Sequence, residues 1–94
     1  MPTKKVLVIS GTGVATSTVV ASSIRDHCAA QGITVDVRQG KVMDLMSGAP
    51  DVDLIVATTE VPASVSVPVV KGLPFLTGVG RDAALEEIVR VLRE

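Results

Sequence analysis

KVLVISGTGVATST, Lys5 to Thr18, is the stretch whose reading decides the fold. Val6, Leu7, Val8 and Ile9 form an uninterrupted β-branched and aliphatic run, the pattern of a strand covered on both faces as in a parallel sheet. Two glycines follow, then small residues and hydroxyls with no bulky side chain. A strand feeding a Gly-rich turn into a helix is phosphate-binding architecture. Gly11 and Gly13 let the backbone come close to a ligand, and the free N–H groups at the start of the next helix attract an anion. Thr12, Thr16, Ser17 and Thr18 can add hydroxyl donors or cap the helix. The same pattern also fits a tight strand-to-helix turn that binds nothing, because short motifs recur by chance.

Outward from this stretch, the spacing predicts a helix over Ser17 to Gln31, with Val20, Ala21, Ile24 and Cys28 on one face and Gly32 as its stop. Ile33 to Arg38 alternates apolar and polar residues, a half-exposed strand suited to a sheet edge. Val42, Leu45 and Met46 are spaced for a short helix or a single turn, closed by Gly48 and Pro50. Val52 to Thr58 is a second apolar run whose Leu54, Ile55 and Val56 suit a central strand beside Val6 to Ile9. Val65 to Val70 reads as a weaker strand; Pro68 cannot donate to a ladder, so this strand belongs at the other edge. Gly72 to Gly80, GLPFLTGVG, reads as an irregular loop. Asp82 to Arg93 is an amphipathic helix with Leu85, Ile88, Val89 and Leu92 in one stripe.

The order is β-α-β-(α)-β-β-α, with room for a further helical turn near Pro62. Right-handed crossovers and two edge-like strands predict an α/β three-layer sandwich: a four-stranded parallel sheet ordered 2-1-3-4 with helices on both faces. A topological switch then falls between the first and third strands, and ligands of such sheets bind at the carboxyl ends there. That is where Ser10 to Thr16 sits, with Thr58, Thr59 and Glu60 next door.

Ninety-four residues fit a single domain, residues 1–94, with one core. Apolar residues make up 47% of the chain but include one aromatic, Phe75, so Val, Leu, Ile and Ala must build that core. Nine basic residues against ten acidic ones, with no cationic cluster beyond Lys4 and Lys5, argue against a nucleic-acid partner. Cys28 is the only cysteine, which excludes an internal disulfide and a cysteine-based zinc site; neither metal nor cofactor is expected. The first apolar run stops after four residues, too short for a signal peptide, and no apolar span approaches the ~20 residues of a membrane crossing, so a cytoplasmic protein is expected.

Known phosphate motifs fit imperfectly. Gly11-Thr-Gly13-Val-Ala-Thr16 is a dinucleotide fingerprint without its third glycine, although Asp36 lies near the distance of a ribose-binding acid. The Walker pattern is absent for want of Gly-Lys-Ser/Thr. A cysteine phosphatase loop would begin with a thiol and end with an arginine, where this chain has Ser10 and Thr16.

SGTGVATST after a KKVLVI strand, the later DLIVATTEVP, and LPFLTGVG before a terminal helix together resemble the galactitol-type IIB component of the bacterial sugar phosphotransferase system (PTS). The resemblance covers nearly the whole chain. It implies a small cytoplasmic phosphocarrier, a protein-phosphohistidine–sugar phosphotransferase component. A cysteine ending strand 1 takes a phosphoryl group from the phosphohistidine of IIA and passes it to a sugar or polyol entering through the membrane component IIC. Carried over by position, that cysteine falls on Ser10. The phosphate cradle falls on Gly11, Thr12, Gly13, Val14, Ala15, Thr16 and Ser17. Gly40 stands where relatives often carry another cysteine.

Serine at position 10 changes the chemistry. A helix N-terminus can lower a thiol's pKa and poise it as a thiolate, whereas a hydroxyl needs an adjacent base. His27, the only histidine, lies well along the first helix, too far from its start to serve. Three readings stand: an engineered Cys-to-Ser form that blocks or traps the carrier, a natural transfer-inactive module that binds phosphate or partners, or a working phosphoserine protein. Cys28, on an apolar helix face, is expected to be packed. Thr58, Thr59 and Glu60 are candidates for contact with the phosphate or a partner, or merely end a strand. Phe75 is either core or an anchor for IIA or IIC, since aromatics are enriched at interface anchors.

Overall fold

The computed structural model describes residues 3–10, 14–46 and 51–94, and for residues 14–17 the backbone alone. The elements run β1 (Lys4–Ile9), α1 (Val14–Ala30), β2 (Val35–Gly40), α2 (Val42–Leu45), β3 (Leu54–Ala57), β4 (Val69–Lys71), α3 (Leu73–Thr77) and α4 (Arg81–Arg93). The strands pair in parallel in the order β2-β1-β3-β4. This is the 2-1-3-4 α/β sheet that the two apolar runs and two edge-like strands predicted. Val6 pairs with Leu54 and Ile9 with Ala57, and all four residues of β3 are buried, as befits a strand flanked by neighbours and covered on both faces.

The two faces of the sheet are covered unequally. Val6, Val8, Leu54, Val56 and Val70 pack with Val20, Ala21, Ile24 and Cys28 of α1, Phe75 of α3, and Ala84, Leu85, Ile88 and Leu92 of α4. Side chains alternate along a strand, so the intervening Ile9, Ile55 and Ala57 point the other way. They meet Leu45 of α2 and the partly buried Val52, Val61, Val65 and Val67. One layer is thus built from three helices; the opposite one is a single helical turn and a connecting segment.

Local sequence explains the ends of α1 and α2. The α1 helix stops in a Schellman arrangement: Gly32 takes φ 75°, its N–H donates to Ala29 O, and Ile33 N donates to Cys28 O at 2.9 Å. Ile33 then packs against the larger core. Asp44 accepts a 2.8 Å bond from the Lys41 N–H, closing the first turn of α2.

Several expectations need correction. The first helix starts at Val14 rather than Ser17, and the second strand is Val35–Gly40 rather than Ile33–Arg38. The fourth strand is only Val69–Lys71; Pro68 precedes it and contributes its carbonyl to Ile55 N. Near Pro62 the chain makes a hydrogen-bonded turn, Val65 N to Pro62 O, and no helix. The stretch Gly72 to Gly80 is not an irregular loop either. It contains α3, with Pro74 in the first turn and Gly78 at φ 80° as the left-handed cap. Proline suits a helix start and glycine its end, so these residues punctuate a helix instead of dissolving one. Met46, spaced as part of the α2 face, is exposed because the helix has already ended.

No helix among the described residues is long and apolar enough to cross a membrane.

Candidate functional site

The carboxyl ends of the strands meet at one edge of the sheet. Thr58 N donates to Ile9 O at 3.0 Å, and Gly72 N donates to Ala57 O at 2.7 Å, so the ladder continues one residue past β3 and β4. Val8, Val56 and Val70 stand in register and belong to the larger core. Two residues further along each strand come Ser10, Thr58 and Gly72. By the period of two they form the next row on the same face, the face that α1 covers.

Ser10 is partly buried at the end of β1. Because the β1–α1 crossover leads to one side and β3 pairs on the other, Ser10 lies at the topological switch. Of the expected cradle, Gly11, Thr12 and Gly13 lie outside the described residues. The backbone of Val14, Ala15, Thr16 and Ser17 forms the first turn of the 17-residue α1. The first amides of a helix have no partner inside it and carry its positive dipole end.

Thr58 is partly buried, and its Oγ1 is buried without a hydrogen-bond partner. An orphaned hydroxyl costs free energy unless something in the protein's working cycle satisfies it. Its methyl group lies in space that Gly72 leaves open. A Cβ built on Gly72 would stand 3.0 Å from Thr58 Cγ2 and 3.3 Å from the Ala57 carbonyl, and Gly72 has φ −93°. A side chain there would be crowded, and the backbone makes no left-handed demand.

Thr59 and Glu60 are exposed. With Thr58, Pro62, Val69, Lys71 and Leu73 they line an open groove of about 690 Å³. The Lys71 cation of that groove and the Gly72 packing contact escaped the sequence reading. The only available signal was that VVKG closes an edge strand.

Of the two readings of Phe75, the structure supports core and removes the anchor: it is 2% exposed, inside the larger core. Its neighbours Leu73, Leu76 and Val79 are the exposed apolar residues of that region. His27 sits 13 residues beyond Val14, about 20 Å along the α1 axis at 1.5 Å per residue. Cys28 is fully buried as expected, and burial pushes its thiol pKa up, the reverse of a poised nucleophile. At the end of β2, a Cβ on Gly40 would come within 3.0 Å of Asp44 Oδ2 and Leu7 Cδ1, both ends of flexible side chains. Among the described residues, no cluster of three or more His, Cys, Asp or Glu is arranged to hold a metal ion.

Comparison with known proteins gives this edge a context. Residues 5–87 match the family described as PTS system, Lactose/Cellobiose specific IIB subunit. A galactitol-specific EIIB component of Escherichia coli O157:H7 is 35% identical over 91 residues, spanning 96% of this chain and 97% of that protein. A putative phosphotransferase enzyme IIB component of Escherichia coli K12 is 31% identical over 91 residues, spanning 97% and 99%. In structure, the lactose-specific IIB domain of Streptococcus pneumoniae superposes with a TM-score of 0.60 at 19% identity, covering 95% of this chain and 97% of that one, which establishes the shared fold. With near end-to-end coverage in both directions, the chain belongs to the IIB subunit family of the phosphotransferase system and is a phosphocarrier component of sugar or polyol uptake.

Proposed function

We propose that this IIB chain acts as one phosphotransfer unit, residues 1–94, of galactitol type, and that its phosphoryl group is seated at Ser10. In this reading Ser10 occupies the phosphocysteine position. The amides of residues 11 to 17 hold the equatorial phosphoryl oxygens, and the start of α1 offsets their charge. The donor is a IIA phosphohistidine in the cytoplasm, and the acceptor is a sugar or polyol held by membrane IIC. The observation that carries the reading is the position of Ser10: partly buried at the end of β1, at the β1/β3 switch, immediately before a long helix.

Loading at Ser10 is an in-line displacement. The N–P bond of the phosphohistidine breaks, its electron pair stays on the imidazole nitrogen, and an O–P bond forms to Ser10 Oγ. The hydroxyl proton leaves with the imidazole. Discharge reverses the roles: the substrate hydroxyl attacks phosphorus, the Oγ–P bond breaks with its electron pair on Ser10 Oγ, and the proton lost by the substrate hydroxyl restores the serine hydroxyl.

A second reading follows from serine itself. An alkoxide is a far poorer leaving group than a thiolate, and the only histidine is remote from the loop. A IIB-like module that docks to IIA or IIC and transfers nothing accommodates both facts. Intact-mass measurement after incubation with phosphorylated galactitol-type IIA separates the two. One added phosphoryl group mapped to Ser10, and lost in Ser10→Ala, supports transfer. No adduct on the native chain together with one on Ser10→Cys supports the transfer-inactive module. No adduct on either chain overturns the assignment of residue 10 as the seat.

A further inference from the structure

We infer that Thr58 Oγ1 is a hydrogen-bond donor to the phosphoryl group seated at residue 10, and that the lack of a side chain at Gly72 leaves the room the Thr58 methyl needs. The inference rests on the reading of residue 10 as the phosphoryl seat, and it adds a side-chain contact from a different strand.

Three observations carry it. The first is register: Ile9 pairs with Ala57, and Thr58 N is bonded to Ile9 O, so residues 10 and 58 are adjacent positions of one row on one face. The second is the state of the hydroxyl. Thr58 Oγ1 is buried and has no hydrogen-bond partner, although a threonine hydroxyl can both donate and accept. Valine would fill the same volume without that cost, so a buried orphan hydroxyl beside a candidate anion seat calls for a ligand oxygen as its partner. The third is the wedge behind it. Ala57 and Gly72 are locked by the 2.7 Å bond, and Thr58 Cγ2 occupies the space a Cβ on residue 72 would need. Gly72 thus leaves the room in which the Thr58 methyl packs, a fit that a larger residue would crowd.

Thr58 keeps its proton throughout. It stabilises charge on a non-bridging oxygen and is neither nucleophile nor base. Thr59 and Glu60, one and two positions further and exposed, take no part in this contact.

The test uses inorganic phosphate as the probe, with the full chain as native protein, Thr58→Val and Thr58→Ser. Binding is read from amide NMR shifts and stability from thermal melting. Phosphate is expected to move the amides of residue 10 and of the first turn of α1. Thr58→Val should melt at a higher temperature than the native chain and bind phosphate roughly tenfold more weakly, the loss of one hydrogen bond to a charged group. Thr58→Ser, which keeps the donor, should bind within about twofold of native. Native-like binding by Thr58→Val overturns the inference and leaves the seat at residue 10 intact. A lower melting temperature for Thr58→Val assigns the hydroxyl a structural bond and also overturns it. If phosphate moves none of those amides in any of the three proteins, the seat itself is wrong and the inference falls with it.

Discussion

The two faces of the sheet make a controlled comparison within one molecule. They share the same backbone, yet one is covered by α1, α3 and α4 and the other by the four-residue α2 and the valines of residues 61–67. On the thick face, the side chains of Val6, Val8, Leu54 and Val56 are fully enclosed by helices. On the thin face, Ile9 and Ile55 are just as enclosed, but by partly exposed valines that a connecting segment supplies. Equal burial therefore conceals unequal support. A cavity on the thick face is walled by rigid elements, whereas one on the thin face is bordered by chain that can move inward.

The contrast is most exposed to a truncation on each face. Ile24→Ala, in the middle of α1, should cost toward the upper part of the roughly 2–5 kcal/mol range for such cavities, a large share of a small domain's stability. Leu45→Ala should lie near the lower end, about 2 kcal/mol, because its surroundings can collapse. Urea unfolding of both variants is the measurement; equal losses would mean the thin face is as rigid as the thick one. Labelling of the buried Cys28 thiol gives a second readout. It should accelerate strongly in Ile24→Ala and weakly in Leu45→Ala, because only opening of the helical layer uncovers it.

At the carboxyl edge, Gly72→Ala sharpens the comparison at the level of one methyl group. Its backbone, φ −93°, accepts alanine readily, so any loss reports the collision with Thr58 Cγ2 and the Ala57 carbonyl. A loss of about 1–3 kcal/mol in urea unfolding is expected, with the Thr58 amide resonance displaced. An unperturbed Thr58 would show that the wedge is soft.

The smallest effect belongs to the amino-terminal edge. Lys5 Nζ and Asp51 Oδ2 pair at 3.0 Å, but the Asp51 side chain is 98% exposed. Asp51→Asn should change the unfolding midpoint by no more than the equivalent of about 0.5 kcal/mol. A larger loss would assign the edge a structural weight that its exposure denies.

Signals carried by local periodicity were legible in the sequence. The unbroken run at Val6–Ile9 and the Leu54, Ile55, Val56 core of Val52–Thr58 identified the two central strands, and the Leu85, Ile88, Val89, Leu92 stripe identified α4 to within one residue. With Pro68 marking an edge, these fixed the sheet order. Signals that depend on three dimensions were not legible. Composition hid α3, because Gly72, Gly78 and Gly80 raise the local glycine content while standing at helix ends. Phe75, between those glycines, could be read as core or as a surface anchor; its side chain turns inward against α1 and α4. At the site, strand and motif together pointed to Ser10 and the ThrThrGlu segment. Which of two adjacent hydroxyls is buried, and that Gly72 is there to make room for it, follows only from the register of three strands.

The brevity of β4 has a consequence for the company this protein keeps. An open parallel sheet presents two unpaired margins, and a long apolar margin invites strand addition from another molecule and, eventually, fibrils. Here one margin offers three residues, preceded by a proline with no N–H to give and ended by a lysine; the other carries Asp36 and Arg38. Both margins are poor templates for strand addition, which offsets the risk carried by a chain rich in valine.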